Sequence, residues 1–197
     1  ARQGPGTGSI AKRFLHGVDR SNYRAALDAE LSRSPRLPDN REMNVSIKQQ
    51  PELRVGTVRH IGPYQTISQA FERLAKVMAG AKRPPNPQLL ALYYDDPRET
   101  PADRLRSDAA LSFPDGAAVP AGLIERRIPA GRYASTVHVG SYEHLPKAWT
   151  ALKQEIEARG LRTGGSVSYE LYLNDPGSVP TKELCTELFV PLDHSTT

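Results

Sequence analysis

At 197 residues, 38% of them hydrophobic and 24% charged, the chain can bury a core without covalent staples and has room for one domain or two small ones. Its net charge of +4 comes from interspersed acids and bases, which excludes a strong electrostatic case for nucleic acid, and its single cysteine, Cys185, excludes an internal disulfide and fits a reducing compartment. No apolar run approaches the roughly 20 residues of a membrane span and no secretory pattern opens the chain, so no membrane partner and a cytoplasmic location are expected.

Ala1–Ser9 is Gly-rich and structureless by composition, and Ile10–Gly17 offers one or two helical turns. Ser21 is a candidate cap for a helix over Asn22–Ser32, after which the prolines of Ser34–Arg41 read as a linker. Eight Lys/Arg against five Asp/Glu make Ala1–Glu42 a +3 arm, too short for a helix-turn-helix domain and expected to be an exposed tether away from any ligand site.

From Met43 the pattern tightens. Asn44–Gln50 and Glu52–Ile61 alternate like strands, His60–Tyr64 turns the chain, and Ile67, Ala70, Phe71, Leu74, Val77 and Met78 give helical spacing over Thr66–Ala79. Leu89–Tyr94 and Arg104–Phe113 read as strands around the turn-rich Asp95–Asp103. Asp115–Gly122 reads as a joint, Leu123–Val139 as a second opening strand pair, and His144–Arg159 as a helix with Leu145, Ala148, Trp149, Leu152 and Ile156 on one face. Val167–Asn174 and Leu184–Leu192 close the chain as two strands flanking Asn174-Asp175-Pro176-Gly177.

One unit is written twice. Val58–Tyr64 (VRHIGPY) returns as Thr136–Tyr142 (TVHVGSY), so that residue 60 matches 138, an offset of 78. Phe71 then falls on Trp149 and Leu74 on Leu152, and after one inserted residue Asp96-Pro97 falls on Asp175-Pro176 and Ser107-Asp108 on Thr186-Glu187. The predicted fold class is therefore α+β, with two pseudo-symmetric β-α-β-β modules, about 43–114 and 123–192, packed around a central ligand cleft and followed by a tail, 193–197.

Glu187 sits inside an apolar strand, where it either points to solvent or lines a pocket that must match its charge. His60 and His138 recur at equivalent places without other ligands at metal spacing, which points to turn capping and to no metal. Cys185 has no histidine partner in sequence and reads as a small hydrophobe rather than a nucleophile. No phosphate loop or dinucleotide fingerprint is present, and no cofactor is expected.

Tyr93-Tyr94-Asp95-Asp96-Pro97, with Thr100-Pro101, Leu105-Arg106 and Asp108, together with Tyr169–Asn174 (YELYLN) and Glu187–Pro191 (ELFVP), resembles the GyrI-like family over Met43–Leu192. The resemblance implies two β-α-β-β modules around a cleft. Family members serve as effector-binding domains of AraC-type and MerR-type transcription regulators, as gyrase-inhibitory proteins, or as hydrolases of cyclopropane-bearing toxins. It also implies an acidic pocket residue on the last strand, matched here by Glu187, and a second acidic position matched by Glu170. A recognisable DNA-binding domain is lacking, which sets this chain apart from the family's regulators.

Within each of the two closing strands Glu187 shares parity with Phe189, and Glu170 with Tyr172, so in-register pairing would bring both acids and both rings to one face. Aromatic walls around a buried carboxylate suit a small hydrophobic or cationic ligand. The resemblance favours the pocket reading for Glu187 and leaves pocket and solvent level for Glu170. Tyr93 and Trp149 are further candidate walls, with core packing preferred for Trp149. Three functions follow: a ligand-binding sensor for transcription regulation or drug sequestration, an inhibitory partner of DNA gyrase, or a hydrolase in which Glu170 and Glu187 divide acid and base roles. The sensor leads; a DNA-binding domain elsewhere and DNA gyrase are the candidate macromolecular partners, and the oligomeric state is left open.

Overall fold

The computed structural model describes residues 44–165 and 167–193; the helix, linker and tether expected before residue 44 lie outside the described residues. The elements are β1 (Ser46–Gln50), β2 (Leu53–Ile61), α1 (Ser68–Ala79), β3 (Leu89–Tyr93), β4 (Arg106–Ser112), β5 (Ile124–Ile128), β6 (Gly131–Val139), α2 (Leu145–Ala158), β7 (Ser168–Tyr172) and β8 (Cys185–Pro191). Both helices lie where the periodicity places them. Each is preceded by a single 3₁₀ turn, Tyr64–Thr66 or Tyr142–His144, and α-helical geometry starts only after it, two residues later than expected for α1 and one for α2. Pro146 in the first turn of α2 lacks only an N–H that no helical partner would have used.

The eight strands form one antiparallel, curled sheet in the order β1-β6-β8-β7-β3-β4-β2-β5. Exchanging the first four strands in sequence for the last four reads this order backwards, so the two halves are related in topology and meet edge to edge where β3 pairs with β7. The opening strands of each half do not pair with each other. β1 crosses to β6 and β5 crosses to β2, so each half lends its first strand to the other half's longest one. These two borrowed strands are the sheet's edges, and both are short and carry charges (Lys48; Glu125, Arg126, Arg127), which discourages pairing with further chains.

Both helices cover the same sheet face. Phe71, Leu74 and Ala70 of α1 pack on Leu89, Ala91, Ala109 and Leu111, while Leu152, Ile156 and Ala148 of α2 pack on Ala134, Leu188 and Val190. The opposite face has no helix; its curl brings Val55, Leu90, Leu92, Ala110, Ile128, Tyr133, Tyr169 and Phe189 together as a third buried cluster. Burying a large side chain in any of these clusters contributes about 1.5–3 kcal/mol.

The turns that lead into the helices repeat as well. Gly62 (φ +130°) and Gly140 (φ +126°) adopt the conformation that favours glycine, and their N–H groups donate to the carbonyls of Leu105 and Leu184. His60 Nε2 lies 3.2 Å from the Pro63 carbonyl and His138 Nε2 lies 3.0 Å from that of Ser141. Both histidines therefore hold turns, as their spacing suggests.

Candidate functional site

The pairing of β7 with β8 decides which residues share a face. Leu171 stands opposite Glu187 and Glu170 opposite Leu188, so Glu170 and Glu187 project from opposite faces of the sheet. This corrects the expectation that both acids line one cleft, and they cannot divide acid and base roles at one substrate. Asn174 sets the register: its side-chain amide donates to the Glu183 carbonyl (2.7 Å) and accepts the Cys185 N–H (2.9 Å).

Glu170 and Tyr172 lie on the helix side. Glu170 is 3% exposed, and among the described residues no Lys, Arg or His pairs with it. Three neutral donors reach its carboxylate: Trp149 Nε1–H to Oε1 at 2.7 Å, Tyr93 O–H to Oε2 at 2.9 Å and Tyr172 O–H to Oε2 at 2.8 Å. Burial pushes its pKa above the ordinary carboxylate value, and the three hydrogen bonds oppose but do not cancel that push. Tyr93 and Tyr172 are raised far above a free phenol, by burial first and by the neighbouring carboxylate second.

Four of the sequence-predicted site residues, Glu170, Tyr172, Tyr93 and Trp149, are thus gathered at one point. Trp149, preferred as a core residue, turns its indole N–H to the acid. Three further rings complete a cage. Tyr64 meets Tyr93 edge to face at 4.8 Å, as Tyr142 meets Tyr172 at 5.5 Å; Trp149 meets Tyr93 at 5.8 Å, as Phe71 meets Tyr172 at 5.7 Å. The six rings form three pairs related by the repeat: Tyr64 with Tyr142, Phe71 with Trp149, Tyr93 with Tyr172. The offset that pairs Phe71 with Trp149 could also have found Tyr64 and Tyr142. The acid breaks the symmetry, because its counterpart is Ala91, which faces Glu170 directly across the β3–β7 junction. A single carboxylate therefore stands at the pseudo-twofold axis, inside paired aromatic walls.

Glu187 and Phe189 lie on the helix-free face. Glu187 accepts from Lys48 Nζ at 2.8 Å and from the Ser135 hydroxyl, and Phe189 stacks on Tyr169 at 4.5 Å in the third cluster. Asp108, the counterpart of Glu187, is fully buried between Arg59 (Nε–Oδ1 2.5 Å), Arg126 (Nε–Oδ2 2.9 Å) and the Tyr94 hydroxyl (2.7 Å). Arg59 donates to Oδ2 through Nη2 at 3.4 Å, while its Nε–H lies against Oδ1 without the alignment of a hydrogen bond. Cys185 is buried with its thiol pushed up by burial, consistent with an inert hydrophobe. No cluster of metal-ligating side chains occurs among the described residues, and no helix there is long and apolar enough to cross a membrane.

Residues 43–193 match the family described as the GyrI-like small molecule binding domain. The chain belongs to the GyrI-like family. Among its relatives, a DNA gyrase inhibitor of Serratia proteamaculans is 38% identical over 144 residues, which cover 68% of this chain and 88% of that protein. The fold is shared with the EcmrR C-terminal domain (TM-score 0.62, 22% identity, 78% of this chain and 99% of the other). It is shared too with SAV2435 bound to tetraphenylphosphonium (TM-score 0.56, 14% identity, 77% and 95%). As a GyrI-like domain, the chain is a small-molecule-binding module.

Proposed function

We propose that this GyrI-like domain is a receptor for a lipophilic monovalent cation, which it takes into the aromatic cage around Glu170 and binds without transforming. The observation that carries this reading is a nearly fully buried carboxylate with neutral donors and no counter-ion among the described residues. Leaving such a charge unpaired costs several kcal/mol, and an entering cation removes that cost while the rings supply π-faces and apolar area. One acid at the axis suits one positive charge, and the paired rings suit a ligand that is itself nearly symmetric. The rings touch one another over Glu170, so the ligand enters by parting them, with Tyr64 and Tyr142 on the turns before the helices as the outermost pair. A domain of this kind acts as the effector-binding part of a transcription regulator or sequesters the cation, and the solved relatives EcmrR and SAV2435 support that setting.

The test is titration calorimetry with tetraphenylphosphonium and its neutral relative triphenylphosphine oxide. Glu170→Gln keeps the shape and removes the charge, so cation affinity should fall by about 2–5 kcal/mol while the neutral compound changes little. Equal losses for the two compounds would remove the counter-ion role. Identity of 38% to a DNA gyrase inhibitor supports a second reading, inhibition of gyrase through the domain's surface. A supercoiling assay with purified gyrase, run with and without the cation, tests it; unaltered supercoiling at saturating protein would dismiss it.

A further inference from the structure

The helix-free face carries a second polar centre that the cage does not use. A hollow of about 390 Å³ opens beside Tyr94 and Arg126, two partners of Asp108, and its wall also holds Leu92, Ile128, Gly165, Val167 and the charged side chains of Glu125 and Arg127. Its charge is unbalanced. Arg59 and Arg126 both pair with the single carboxylate of Asp108, whereas the other charged side chains nearby are matched one to one, Arg127 with Glu52 and Glu125 with Arg54. The equivalent centre in the other half shows what is unusual here. There Lys48, on the opposite borrowed strand, pairs with Glu187, while the counterpart of Arg59 is Val137 and that of Tyr94 is Leu173. The first half has thus gained one cation and one ring around a shared acid–base pair.

Arg126 is placed to use that surplus. Its Nε–H is spent on Asp108, and its two terminal nitrogens have no hydrogen-bond partner among the described residues. The Arg126 side chain is 34% exposed. The Tyr94 ring lies under the Arg59 guanidinium at 4.5 Å and the Arg126 guanidinium at 5.8 Å, and Leu92 and Ile128 make an apolar floor. A guanidinium edge with free N–H groups, over an aromatic and aliphatic floor, matches a planar carboxylate on an aromatic body. The volume falls within the range of small-molecule sites.

We infer that the helix-free face holds a second ligand site, selective for a small aromatic carboxylate, with Arg126 as the anion-binding residue and Tyr94 as its platform. The site is chemically the reverse of the cage and lies on the other side of the sheet, so one domain would read an anion and a cation separately.

The probe is 1-naphthoate, compared with the neutral 1-naphthamide by titration calorimetry on the full chain. Naphthoate should bind saturably at one site per chain and the amide much more weakly. Arg126→Gln leaves Asp108 paired with Arg59 and should weaken naphthoate by about tenfold or more, the loss of charge-assisted hydrogen bonds. Gly165→Trp tests the location without touching the charged cluster, because a side chain built at Gly165 meets no atom within 4 Å and so has open space to fill. It should abolish naphthoate binding. Excess tetraphenylphosphonium should not displace naphthoate, whatever becomes of the cation reading of the cage. Absence of saturable naphthoate binding, affinity unchanged in both variants, or displacement by the cation would each overturn the site.

Discussion

Glu170 is the residue on which the proposed cation binding and stability pull against each other. Its folded-state pKa lies above the ordinary value of 4.5, with burial the main cause, so between 4.5 and the raised value the folded protein keeps a proton that the unfolded chain has lost. The folded state binds more protons there, and stability must fall as pH rises through that window. Replacing the acid removes the dependence: Glu170→Gln should gain thermal stability over the parent protein as pH is raised, and lose that advantage near pH 4. Cation binding must follow the opposite sign. The cation pairs only with the ionised acid, so affinity should rise with pH over the same window and binding should release a proton, visible as a buffer-dependent enthalpy in calorimetry. A cation affinity that does not rise as pH is raised above 4.5 would mean that the acid is not the counter-ion.

At the scale of elements, the strands that cross between halves are fastened by buried acid–base pairs: Arg126 of β5 reaches Asp108 of β4, and Lys48 of β1 reaches Glu187 of β8. The two fastenings differ in depth. Asp108 has no exposed side-chain area and holds two guanidinium groups, so Asp108→Asn leaves surplus positive charge under the sheet and should cost about 3–5 kcal/mol in urea denaturation. Glu187→Gln keeps the Ser135 hydrogen bond and removes one charge partner from a Lys48 side chain that is 26% exposed, so about 1 kcal/mol is expected. Reversal of that order would show that depth of burial does not decide what each fastening contributes. The strands and helices themselves were legible in the sequence, since period two and helical spacing are properties of a segment alone. The facing of Glu170 and Glu187 was not, because parity fixes faces within a strand while register between strands depends on the connection. Here the Asn174 amide sets a pairing in which residues of like parity share a face, which parts even-numbered Glu170 from odd-numbered Glu187, and a one-residue slip would move every side chain across the sheet. Asp95 does the same for β3 and β4 by accepting the Arg106 N–H at 2.7 Å. Nor does any strand's pattern name its neighbour, which is why the exchange of β1 and β5 could not be read.

For the whole molecule, the reversible strand order and the paired rings place a pseudo-twofold axis through the facing residues Ala91 and Glu170. The walls of the cage are duplicated and the charge is not, so the acid should be movable. In the double variant Ala91→Glu with Glu170→Ala the transposed carboxylate faces the same six rings from the other strand, and Tyr93 and Tyr172 exchange roles as donors. Only the indole donor is lost, because the counterpart of Trp149 is Phe71, which has no N–H to give. Glu170→Ala alone should therefore lose about 2–5 kcal/mol of cation affinity. The double variant should recover part of it, short by about 1.5–3 kcal/mol for the missing hydrogen bond to a charged group. Ala91 is fully buried beneath α1, so circular dichroism and a thermal melt on the double variant must first establish that it folds. A folded double variant that binds tetraphenylphosphonium no better than Glu170→Ala would show that the two sides of the cage are not interchangeable, and that Glu170 owes its role to the second half of the chain rather than to the axis.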